Sequence, residues 1–172
     1  MFTILKIIQS LVKALNSEGT PGQVATGIAV GAALGLTPLL NLHNLLVVAA
    51  IALLSLSVPG AILGWLVSVP FGFLLDPVFD GIGRWLLLDV LPLVPLWTAI
   101  YNTPVIALAN LNNTVVLGSL VGWALLAVPV YFTARYAVGE YRQKVYPKVA
   151  RSKAFRAVRA TKLYNLYRLF HP

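Results

Sequence analysis

TPGQVATGIAVGAALGLTPLLNLHNLL, residues 20–46, contains an apolar helix, both of its boundaries and the polar turn that follows. Thr20 is placed to cap, Pro21 suits the first helical position because its missing N–H is not needed there, and Gln23 can close a capping box. Gly27, Gly31 and Gly35 then recur at i, i+4 and i+8, with Ala25, Ala29 and Ala32 beside them. A face this small lets a second backbone approach closely, which is what holds helices together in lipid. From Pro21 to Leu36 the helix would span roughly 24 Å at 1.5 Å per residue. That is short of the roughly 30 Å hydrocarbon core of a bilayer. Pro38 stops it.

Composition points the same way. Of 172 residues, 59% are hydrophobic and 10% charged, against roughly 45–50% and 25% in soluble domains. No charged residue occurs from 19 to 75, nor from 90 to 134. Each stretch is about twice or more the length of the roughly 20 residues that one helical crossing needs, so each must fold back on itself. The sequence therefore predicts an all-α integral membrane protein built from short, Gly/Ala-rich helices broken by proline. With no cysteine, disulfides and thiolate metal sites are excluded. Lys13 interrupts the first apolar run and no cleavage pattern follows it, so Met1 reads as the start of the mature chain.

Charge sets the expected orientation. Ten of the thirteen Lys and Arg lie in residues 135–172 with one acid, Glu140. By the positive-inside rule that tail belongs in the cytoplasm, and Lys6 and Lys13 put the N-terminus there too. Three regions result: an amphipathic helix over 1–18, a membrane domain over 19–134 and a basic tail over 135–172. In the first, Thr3, Lys6, Gln9, Lys13 and Asn16 form a polar stripe, so it either lies in the interface or packs on the protein's own core.

Within the membrane domain, apolar runs at 45–58 and 61–75 follow the first helix, separated by Pro59 and Gly60. Either all three cross, or the first two form a re-entrant hairpin and the third crosses. The run at 114–134 restores an even count. Asp76 and Pro77 read as the start of a further helix, with Asp80 and Arg84 forming an i, i+4 pair. Trp85 and Trp97 suit an interfacial belt.

Polar residues gather in two similar places. TPLLNLHN (37–44) contains Pro38, Asn41, His43 and Asn44; NTPVIALANLNN (102–113) contains Asn102, Pro104, Asn110, Asn112 and Asn113. Both continue to Val-Val and then Val-Pro, at unequal spacings, as a degenerate internal repeat would. They are either broken segments lining a watery site or ordinary polar turns. His43 is either a ligand or proton relay, or a solvated loop residue. No nucleophile–base–acid spacing or phosphate-binding glycine loop is present, so no enzyme, cofactor or metal site is expected. In the tail, Lys148, Arg151, Arg156, Arg159 and Lys162 share one side of a helix whose other side is alanine-rich. That pattern suits anionic phospholipid headgroups; without a recognition motif, it does not suggest nucleic acid.

The small-residue helix between Pro21 and Pro38 resembles the bacterial membrane family known as domain of unknown function 2062 (DUF2062), over roughly residues 17–135. More narrowly the chain is similar to a compact subgroup often encoded beside a large envelope protein of the AsmA type. The resemblance implies an inner-membrane, non-enzymatic partner of a periplasm-spanning lipid-transfer bridge. On that expectation Gly27, Gly31, Gly35, Ala25 and Ala29 receive the partner's transmembrane helix. The alternative is a self-contained small-solute transporter or channel in which the two asparagine turns meet.

Overall fold

The computed structural model describes residues 19–151, with side chains to residue 148. The expected helix over 1–18 and the tail beyond Arg151 lie outside the described residues. Within them the fold is all helical: α1 (Pro21–Leu36), α2 (Leu42–Leu53), α3 (Val58–Arg84), α4 (Val94–Tyr101), α5 (Pro104–Ala107), α6 (Thr114–Glu140) and α7 (Tyr146–Arg151). π-helical turns extend α3 over Trp85–Asp89 and α6 over Tyr141–Val145.

The start of α1 follows from its local sequence. Gln23 N donates to Thr20 Oγ1 at 3.2 Å, and Thr20 N donates to Gln23 Oε1 at 2.7 Å, which completes the capping box. The glycines then decide the packing. Gly31 lies against the backbone of Ala61, and Gly35 against that of Trp65 and Val69; in return Gly60 faces Val24 O and Gly64 faces Ile28 O. Residue numbers rise together on both sides of this seam, so α1 and α3 run parallel.

α6 runs antiparallel to both. Gly118 and Gly122 pack on Phe79, and Gly83 packs on Thr114. Trp123 Nε1 donates to Ala29 O at 2.9 Å. The Tyr131 hydroxyl reaches Gly22, and Arg142 donates to Gly19 O at 2.8 Å. Consequently α1 is enclosed by α3 and α6. The return leg, α2, packs loosely outside them.

Two expected boundaries need correction. Pro59 and Gly60 do not break an apolar run; they sit in the first turn of α3, where Ser57 accepts from Gly60 N at 3.2 Å and caps it. Nor do Asp76 and Pro77 begin a helix: α3 passes straight through Pro70 and Pro77. An interior proline costs about 3 kcal/mol or more in an isolated helix. Here Gly72 is fixed on Gly35 below Pro77, and Phe79 and Gly83 are fixed on α6 above it. Packing on both sides holds the helix continuous. α6 likewise runs unbroken through Pro129 and past residue 134.

Side chains are distributed in reverse of a water-soluble bundle. The interior is rich in small residues, Ala25, Ala29, Ala32, Ala33 and Ser119 with the glycines, beside Val24, Leu36, Phe79, Val116 and Leu117, while Leu40 is 96%, Leu53 82%, Phe73 76% and Leu125 71% exposed. Val58–Asp89 and Thr114–Lys148 are each long and apolar enough to cross a membrane.

Candidate functional site: the two asparagine turns

Leaving α1, the chain turns through Thr37–Asn41, and Asn44 organises that turn from the first turn of α2. Its Nδ2 donates to Pro38 O at 2.7 Å and Leu39 O at 3.2 Å. The Thr37 hydroxyl lies 2.9 Å from Asn44 Oδ1 and 2.8 Å from Ala33 O, so its single proton serves one acceptor at a time. Asn44 is buried, and its bonds satisfy two carbonyls of the turn that follows the helix.

Asn41 precedes α2 without capping it through its side chain. Its Nδ2 donates to Pro38 O at 2.9 Å, and its Oδ1 accepts from Asn110 Nδ2 at 2.8 Å. That bond joins the two turns across 69 residues of sequence. Asn110 adopts φ +53°, the left-handed region that asparagine tolerates better than most residues. Asn113 caps α6, accepting from Val116 N at 3.2 Å. Asn102 ends α4 and Pro104 opens α5. Asn112 is exposed, and neither it nor Asn102 makes a side-chain hydrogen bond among the described residues.

The two stretches do not fold as copies. Val58-Pro59 opens α3, whereas Val128-Pro129 lies inside α6. They share a place at one end of the bundle and little else. His43 stands apart from both networks: it is buried and neither ring nitrogen has a hydrogen-bond partner. Among the described residues no group of His, Asp and Glu is arranged to hold a metal ion.

The structure also corrects the expected use of the glycine face. Gly27, Gly31 and Gly35 are closed by Ser57, which caps the chain's own α3, and by Ala61 and Trp65 within it, and Ala25 and Ala29 are buried. The face does bring a backbone close, but its occupant is internal, so no partner's helix can lie there. Of the expected lipid-binding cations, Lys148 is exposed on α7. Arg151 ends α7, and its side chain, with Arg156, Arg159 and Lys162, lies outside the description.

Two ties escaped the sequence. Asp80 accepts from the Thr114 hydroxyl with one carboxylate oxygen and from Arg84 at 3.0 Å with the other, joining α3 to α6 as well as forming the expected i, i+4 pair. Trp97 Nε1 donates to Leu86 O at 3.0 Å, so the indole of an expected interfacial tryptophan serves the end of the α3 helix. Neither spacing carries a signal that would single it out.

Residues 6–146 match the family model described as "Uncharacterized protein conserved in bacteria (DUF2062)". The chain belongs to this family. A relative from Treponema pallidum (strain Nichols), an "Uncharacterized protein", is 35% identical over 160 residues, covering 91% of this chain and 96% of its own length. No solved structure matches the chain.

Proposed function

We propose that this protein is a non-enzymatic subunit of the bacterial inner membrane, with both termini in the cytoplasm, that helps pass phospholipid to a periplasm-spanning, AsmA-like partner. The observation that carries the membrane reading is the burial pattern: most large apolar side chains of α2, α3 and α6 face outward, while the interior, beside a few such as Phe79 and Leu117, is rich in glycine, alanine and serine. In water that arrangement would expose more contiguous apolar surface than a soluble monomer tolerates. In lipid it costs nothing, because outward leucines meet hydrocarbon and inward glycines maximise backbone contact.

The hairpin of α1 and α2 supports the lipid role. Its legs have 16 and 12 residues, both below the about 20 that match the hydrocarbon core. Lipid beside α2 must thin or tilt to cover it, which lowers the work of extracting a molecule there. With the glycine face filled, the partner is assigned to the outward row Leu45, Leu46 and Leu53. The AsmA-type partner itself comes from the family resemblance.

Photo-crosslinkers at Leu46 and Leu53, activated in native membranes, test the proposal. Adducts with a large envelope protein and with phospholipid are expected. Recovery of the protein in the soluble fraction after alkaline carbonate extraction would remove the membrane reading; lipid adducts alone would remove the partner.

The Asn41–Asn110 bond favours a second reading, a small-solute transporter or channel. It is weaker because Asn41, Asn44 and Asn113 spend their polar atoms on the turns themselves. Solute flux through proteoliposomes that is lost in Asn41→Ala would reverse this ranking.

A further inference from the structure

We infer that the outward face of α6 around Arg135 is a binding site for the phosphate of a membrane phospholipid. This rests on the membrane reading above and adds a specific site to it. A shallow cavity of about 380 Å³, open to the surroundings, lies there, lined by Phe132, Arg135, Tyr136, Gly139, Glu140 and Gln143.

Three features point to a lipid phosphate. Arg135 is the first charged residue after the uncharged run 90–134, which puts its guanidinium where hydrocarbon gives way to headgroups. The neighbouring cations are engaged: Lys144 with Glu140 and Arg142 with Gly19 O. Arg135 makes no hydrogen bond or ion pair among the described residues, leaving its planar fork free for a bidentate contact with phosphate oxygens.

Gly139 supplies the second feature. Gly27, Gly31 and Gly35 of α1 and Gly118 and Gly122 of α6 are each explained by a neighbour that a Cβ would strike. Gly139, like Gly81 of α3, has nothing within 4 Å of that position, although glycine inside a helix costs about 1 kcal/mol relative to alanine; of the two, Gly139 lines the cavity. A side chain at Gly139 would project into space that the cavity leaves open.

The third feature is chemical layering. Phe132, one turn closer to the membrane interior, and Tyr136 are both exposed and offer an apolar wall for acyl chains. Glu140, on the headgroup side, is paired by Lys144 and so does not repel a phosphate.

Native mass spectrometry of the full chain, purified in mild detergent, tests the site. Wild type should keep one phospholipid after collisional activation has removed all other lipid, and Arg135→Gln should lower that adduct at least five-fold with an unchanged melting temperature. Gly139→Leu, which projects into the cavity and leaves the charge alone, should do the same and decides the matter if Arg135→Gln does not fold. Delipidated wild type should regain the adduct from vesicles of phosphatidylethanolamine and phosphatidylglycerol. Equal adducts in wild type and variants would overturn the inference while the membrane reading stands. Displacement of the lipid by millimolar inorganic phosphate would overturn the lipid as its ligand. A protein that needs no detergent would overturn both.

Discussion

α1 and α2 are the two legs of one hairpin, both short, both uncharged, and they meet opposite fates. Half of α1 is buried, from Val24 to Leu36, whereas α2 buries only His43, Asn44 and Ile51 and turns Leu45, Leu46 and Val48 outward. The leg rich in leucine is the exposed one. In water the reverse would hold, since burying a leucine is worth about 1.5–3 kcal/mol and burying a glycine contributes almost nothing. The contrast teaches that side-chain size, not affinity for oil, sorts these helices: glycine admits a neighbouring backbone, and leucine keeps it away.

The largest effect should come from breaking the seam on α1. Gly31→Leu places a side chain where Ala61 backbone already lies, and the expected loss exceeds about 3 kcal/mol, the upper end of ordinary overpacking. Size-exclusion chromatography in detergent should show the monodisperse peak lost. A variant with wild-type elution and melting temperature would mean that the seam is not what holds α1.

Next in size is Asn44→Leu, at the one place where α2 is firmly attached. Asn44→Leu loses its part-buried bonds to Pro38 O and Leu39 O, at about 0.5–1.5 kcal/mol each. Faster hydrogen exchange across α2, with α1 unchanged, is the expected signature. Exchange that rises equally in both legs would merge the two regions the comparison separates.

A finer test uses the two helix starts. Thr20→Ala removes the capping box of α1 and should cost about 1 kcal/mol, read as a lower melting temperature. Asn41→Ala takes no side-chain cap from α2 and should instead lose the link to Asn110, read as slower disulfide formation between cysteines placed at Leu40 and Leu111. The smallest effect belongs to Leu46→Ala. Its side chain points outward, so stability measured in detergent should change by less than about 0.5 kcal/mol.

Several features were readable directly from residues. Thr20, Pro21 and Gln23 announced the start of α1, and Pro38 its end, because capping and proline geometry are local. Asp80 and Arg84 were legible as a pair for the same reason. The absence of charge over 19–75 and 90–134 carried the expectation of helices folded back on one another, since it reflects composition alone.

Only the tertiary structure decided where those helices go. Gly31 requires a close neighbour, but nothing in its own stretch says whether that neighbour is a partner's helix or, as observed, Ala61 of the same chain. Pro77 looks like a helix start to every local rule, yet contacts with Gly35 and Thr114 on either side carry α3 through it. Asn41 and Asn110 are too far apart in sequence for spacing to pair them, and they meet because α1 and α6 run antiparallel, which sets the end of one beside the start of the other. Local chemistry is written in the residues that make it; a contact between distant segments depends on the summed packing of everything between them, and no short stretch contains that sum.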